Sequence, residues 1–135
     1  MKTDLELYET LSEAINGLFY QTELDYPFEV FIWENTKETA IDKTEILKRT
    51  KGSPEDNIEE FDFNHLFSTP TMEQDWHTSE DKERVARFRN LVKVLKENLT
   101  DIKVFRRGRI YIDVYITGKA PSGNIAGIST KQMQT

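Results

Sequence analysis

The chain contains no cysteine, which excludes disulfides, thiolate nucleophiles, iron–sulfur clusters and cysteine-ligated zinc together. Histidine is scarce: His65 and His77 are the only two, and neither stands in a ligand spacing such as His-Glu-x-x-His. No apolar run approaches the length of a membrane span, and Met1-Lys2-Thr3-Asp4-Leu5-Glu6 lacks the apolar core of a secretory signal. A soluble cytoplasmic protein is the expectation, with no membrane partner. Positive charge is the minority sign, 18 Lys and Arg against 24 Asp and Glu for a net −6. Direct binding to nucleic-acid phosphates needs a basic surface and is disfavoured, whereas a basic protein partner would be attracted. Neither internal repeats nor low-complexity segments occur.

The residues that are present suit one globular domain over residues 1–135. Hydrophobic residues make up 37%, charged residues 31% and aromatics 11%, enough apolar mass for a core and too many aromatics for a disordered chain.

The clearest periodicity lies near the C-terminus. From Ile110 to Thr117 the side chains alternate: Ile110, Ile112, Val114 and Ile116 point one way, and Tyr111, Asp113, Tyr115 and Thr117 the other. Lys119-Ala120-Pro121-Ser122-Gly123-Asn124 has turn chemistry, and Ile125 to Lys131 returns as a hairpin arm. Ile102 to Phe105 pairs on the other side through a turn about Arg106-Arg107-Gly108. Only four residues follow Lys131, so the last strand is expected to place the terminal carboxylate in space.

Upstream, Thr3 and Glu6 have capping-box spacing for a helix from Asp4 to about Phe19, with Leu5, Tyr8, Leu11, Ile15, Leu18 and Phe19 on one face. Pro27 fixes the entry to a strand over Phe28 to Glu34 whose later half is apolar on both faces. That pattern predicts a central strand in a sheet covered on both sides, hence a three-layer sandwich. Ile41, Ile46 and Leu47 mark a short helix ending before Gly52, Ile58 to Phe61 an edge strand, and Phe63, Leu66 and Phe67 another short helix. After an irregular connection over residues 69–77, the longest helix runs from Ser79 to about Leu99 on the stripe Val85, Phe88, Leu91, Val92, Leu95 and Leu99. The fold class is α+β, with a small mixed, mainly antiparallel sheet.

Several residues are candidates for chemistry. Asp113 shares a strand face with Tyr111 and Tyr115, where a tyrosine hydroxyl or backbone amide can satisfy it, or where a lone carboxylate can act as a base. A small-ligand or peptide pocket on that face is one alternative function, and a hydrolase using Asp113 with His65 or His77 is another. Gly123-Asn124-Ile125-Ala126-Gly127 lacks the ending of a phosphate loop, and Gly127 instead permits close backbone approach in the sheet. Trp76, following Asp75 in a polar connection, either plugs the edge of the core or is offered to a partner. Asp25 is a carboxylate on the rigid corner before Tyr26-Pro27.

Tyr26-Pro27-Phe28-Glu29-Val30-Phe31 with Trp33-Glu34, then Gln74-Asp75-Trp76, then Asp113-Val114-Tyr115, Gly118, Pro121, Gly123-Asn124, Ala126-Gly127-Ile128-Ser129-Thr130-Lys131 and a terminal Thr135 together resemble the nuclease A inhibitor family of cyanobacteria and other bacteria. The resemblance implies a non-enzymatic inhibitor of a magnesium-dependent, sugar-non-specific nuclease that cuts DNA and RNA, bound 1:1. It implies a three-layer α/β/α sandwich like that of pathogenesis-related proteins of the PR-1 type, with no cofactor of its own. By that resemblance Thr135 enters the nuclease active site and its hydroxyl coordinates the catalytic Mg²⁺, Asp25 stands in for the scissile phosphate, and Asp75 with Trp76 forms a second contact patch. Asp25 occupies a position where the family carries glutamate, and His77 one where it carries a larger aromatic residue.

Overall fold

The computed structural model describes residues 2–21, 25–35, 41–50 and 57–133. Helix α1 (Asp4–Ile15) starts at the predicted capping box, with Thr3 and Glu6 satisfying each other's backbone amides. It ends at Ile15 rather than Phe19. Gly17 takes a positive φ of 75° and the Leu18 amide turns back to the Ile15 carbonyl, a left-handed stop that glycine accepts most readily. The buried stripe is also rotated from expectation: Leu7, Leu11, Ala14 and Ile15 face the core, while Leu5 and Tyr8 are exposed. The i, i+4, i+7, i+8 set beginning at Leu7 includes small Ala14, which lets α1 approach the long helix closely.

Phe19 therefore begins a strand, β1 (Phe19–Gln21), which pairs antiparallel with β2 (Asp25–Pro27) as a separate two-stranded ribbon. Strand β3 (Glu29–Trp33), helix α2 (Lys43–Arg49), strand β4 (Ile58–Phe61), helices α3 (Phe63–Ser68) and α4 (Ser79–Asn98), and strands β5 (Thr100–Arg107), β6 (Tyr111–Lys119) and β7 (Ile125–Met133) follow. The five-stranded sheet has the order β3-β7-β6-β5-β4, and every described pair is antiparallel rather than mixed.

Strand β3 lies at the sheet edge, not at its centre. Its two apolar faces are nevertheless both covered: Val30 and Ile32 pack into the main core, and Phe31 and Trp33, stacked at 4.3 Å, into a smaller cluster on the other face. Burial pattern reports what lies above and below a strand, not how many strands lie beside it.

The main core joins α1, α3 and α4 to the inward residues of the sheet, among them Val104, Ile112, Val114, Ile116, Ala126 and Ile128. Val85, Phe88, Leu91 and Leu95 supply the buried face of α4 as its periodicity predicts, each contributing roughly 2 kcal/mol of transfer free energy. On the opposite face α2 lays Ile46 beside Ile41, Phe105 and Ile125. Between β5 and β6 the turn is Gly108-Arg109-Ile110, with Gly108 at φ 116°. Arg106 and Arg107 remain in register opposite Val114 and Asp113, and Ile110 leaves the strand alternation to become exposed. At Gly127 β7 passes too close to β6 for a side chain: a Cβ there would lie 1.8 Å from the Ile116 carbonyl oxygen. Among the described residues no helix is long and apolar enough to cross a membrane.

Candidate functional site

Three segments meet at the end of the sheet where β7 runs out. The first is the β1–β2 ribbon. Thr130 on β7 donates its hydroxyl to the Pro27 carbonyl at 2.9 Å, tying the ribbon to the last strand. Asp25 opens β2 opposite Gln21 and is exposed. The second segment is the connection from α3 to α4. Its chain closes on itself over four residues, the His77 amide donating to the Gln74 carbonyl and the Gln74 amide to His77 Nδ1 at 3.0 Å. Arg89 on α4 holds the loop from behind through the Thr71 carbonyl at 2.9 Å.

A tight loop pinned at both ends presents Trp76 with 75% of its surface exposed, its ring edge-on to His77 at 4.4 Å. A tryptophan plugging the core would be buried; this one faces solvent and so does not plug the core. Asp75 beside it is exposed and makes no ion pair with any described residue. The third segment is the end of β7. Gln132 and Met133 line a cavity of ≈ 640 Å³ together with Trp76, Met72 and Tyr20, so the tryptophan loop, the ribbon and the last strand are contiguous. Thr135 lies outside the described residues; the description of β7 ends at Met133.

Further exposed apolar side chains cluster at this end. Tyr111, opposite Met133, and Ile110 at the β5–β6 turn are each more than half exposed, as is Met72. Ile110 was assigned to the inward face by alternation, and only the position of the Gly108 turn could have placed it outside. Tyr20, whose hydroxyl donates to the Leu66 carbonyl at 2.7 Å, has its pKa raised chiefly by burial, against a lowering hydrogen bond to Gln132.

The strand face around Asp113 is organised differently. Arg107 donates to Asp113 at 3.2 Å and to the Tyr115 hydroxyl at 3.3 Å through Nη2, and to Thr50 Oγ1 at 2.6 Å through Nη1. Asp113 is thus satisfied neither by a tyrosine nor by a backbone amide but by an arginine that the sequence pattern assigned to a turn. Burial raises the Tyr115 pKa, as does the Asp113 charge; Arg107 and a hydrogen bond to Thr50 oppose it. A cleft of ≈ 360 Å³ runs between this face and the ribbon, touching Tyr26, Glu29 and Lys131. His65 and His77 line the larger cavity with Val85 and Phe88, on the side of the sheet covered by α1, α3 and α4. Asp113 points to the other side, so the groups a hydrolase would need are not brought together. Among the described residues no group of three His, Asp or Glu side chains could hold a metal ion.

The family model described as nuclease A inhibitor-like protein matches residues 5–135, nearly the whole chain. The chain itself matches no curated protein.

Proposed function

The chain belongs to the nuclease A inhibitor-like family, and from that premise we propose that it blocks a magnesium-dependent, sugar-non-specific nuclease by filling the active site. Family membership implies a nuclease-inhibiting role and a nuclease as partner; the residue assignments are our reading. Asp25 stands in for the scissile phosphate, Asp75 and Trp76 form the second contact, and the hydroxyl of Thr135 reaches the partner's Mg²⁺. The whole chain acts as one non-enzymatic domain, 1:1 with the nuclease, in the cytoplasm and without a cofactor of its own. Helices on both faces of the sheet support the three-layer, PR-1-like arrangement that goes with this reading.

One observation carries it: Asp25, Trp76 and the departing end of β7, drawn from distant parts of the sequence, occupy one end of the sheet. A partner docking there meets all of them at once. The chemistry fits the assigned roles. A carboxylate offers the negative charge that a nuclease's cationic groups hold in the substrate. Mg²⁺ prefers hard oxygen ligands and keeps exchangeable waters, which a hydroxyl on a chain end can replace. A net charge of −6 accelerates encounter with a basic substrate groove.

The test is cleavage of plasmid DNA in Mg²⁺ by a sugar-non-specific nuclease titrated with the intact protein, with a form lacking Thr135, and with Asp25→Asn. Stoichiometric inhibition by the intact protein, weakened in both variants, is expected. Inactivity of the intact protein at micromolar excess would refute the assignment of this nuclease class, and full inhibition without Thr135 would refute the metal-reaching tip.

A further inference from the structure

In a chain with net charge −6, the ≈ 640 Å³ cavity beneath Trp76 is lined by Arg84, Arg106, His65 and His77 and, among the described residues, by no Asp or Glu. The charged side chains that line it are therefore opposite in sign to the molecule's net charge. Arg84 contacts Asp81, and Arg106 pairs with Glu59 at 3.4 Å while lying over the Phe61 ring at 4.6 Å. These carboxylates hold the guanidinium groups in place and do not themselves line the cavity. A guanidinium has five N–H donors, so Arg84, bound to Asp81, can still donate to a second anion. The cavity size falls within the roughly 300–1,000 Å³ of pockets that enclose small organic molecules.

The remaining wall is aromatic and apolar. Trp76, three-quarters exposed, stands at the rim, and Phe61 and Phe88 lie deeper. Aromatic surfaces of this kind accept a flat ring by stacking, and cationic side chains beside them accept the ring's charged substituent. We propose that this cavity binds a small organic anion carrying a flat aromatic ring, its ring against Trp76 and its anionic group toward Arg84 and Arg106. The anionic head can be a phosphate ester or a carboxylate; the chemistry common to both is a negative charge one or a few bonds from a planar ring.

The experiment follows the two tryptophan indole N–H resonances of the ¹⁵N-labelled full chain during titration with adenosine monophosphate, adenosine, inorganic phosphate and benzoate. Trp33 packs with Phe31 and Ile125 on the opposite face of the sheet and serves as the internal reference; Trp76→Phe assigns the signals. A saturable shift of Trp76 with adenosine monophosphate is expected at a Kd below about 1 mM, with adenosine and phosphate each about tenfold weaker or worse. Arg84→Gln should weaken the monophosphate about fivefold or more while leaving the Trp33 resonance in place. Benzoate matching the monophosphate would identify carboxylates as ligands, and a response confined to the monophosphate would identify phosphate esters. An unmoved Trp76 at about 5 mM monophosphate, or equal responses to adenosine, or to phosphate alone, would overturn the proposal. No nuclease enters the measurement, so its result is independent of the inhibitor reading.

Discussion

Two patches on this molecule carry the same kinds of residue, a carboxylate with aromatics beside it, and they are built in opposite ways. On the strand face, Asp113, Tyr115 and Thr50 all converge on Arg107, which donates to each. At the end of the sheet, Asp75 is without an ionic partner among the described residues, and Trp76, Met72 and Ile110 hold apolar surface in water. A polar group with its hydrogen bonds met inside the fold has a structural role already. Exposed aromatic surface on a pinned loop costs solvation and gains nothing until something covers it. The contrast moves the functional weight from the strand face, the more regular sequence pattern, to the irregular connection.

The sharpest way to break this contrast is to disturb the strand face where it has no slack. Gly127 lies on that face, and Gly127→Ala would set a methyl 1.8 Å from the Ile116 carbonyl oxygen and 3.1 Å from the Phe31 ring. A loss of about 3 kcal/mol or more in a urea titration is expected. Next in size is Trp76→Ala: inhibition should weaken by about 2 kcal/mol, roughly thirtyfold in the inhibition constant, with unfolding free energy changed by no more than about 0.5 kcal/mol. If stability fell instead, the loop would be structural and the contrast would fail. Smaller again is Arg107→Met, which removes a side chain only 17% exposed. It leaves Asp113 without its cation, but that side chain is 36% exposed and water recovers part of the loss, so about 1–2 kcal/mol of stability is expected to go. Inhibition should be unchanged, and Asp113→Asn in the same chain should restore part of the stability.

Elements whose signal is local were legible in the sequence. Thr3 with Glu6 marks the start of α1, the Val85–Leu95 stripe defines α4, and Ile58 to Phe61 forms an edge strand as predicted. Structure departs from the sequence pattern where the deciding partner is distant in sequence or a single backbone angle governs. The positive φ of Gly17 ended α1 early and made the β1–β2 ribbon possible. Strand β3 shows two apolar faces because α2 and the main core cover it, which looks the same as a central position. The partner of Asp113 is Arg107, six residues away in sequence and directly across the β5–β6 register, hidden by a turn placed two residues too early. The family motifs single out Asp25, Asp75 and Trp76 as candidates, whereas the cavity below Trp76 draws on several stretches of chain, from Tyr20 to Met133, and has no motif.

The smallest expected effect compares one buried tyrosine from each region. Tyr20, in the floor of the cavity, and Tyr115, on the strand face, both have pKa values raised above the ordinary tyrosine value, first by burial. Below about pH 10 both hydroxyls are protonated whether the chain is folded or not, and neither makes stability depend on pH. Above it the unfolded chain releases these protons while the folded chain retains them, so stability falls as pH rises through the folded-state values. Thermal melts should be flat across neutral pH in this respect and decline above about pH 10, and Tyr20→Phe and Tyr115→Phe should each make the decline shallower. The two should differ at neutral pH. Tyr20→Phe leaves the Leu66 carbonyl without its donor and costs about 1 kcal/mol, whereas Tyr115→Phe removes only one of three acceptors from Arg107 and costs less. An alkaline slope unchanged by Tyr115→Phe would mean that water reaches the strand face more freely than its hydrogen bonds suggest, and the closed side of the comparison would lose its distinguishing property.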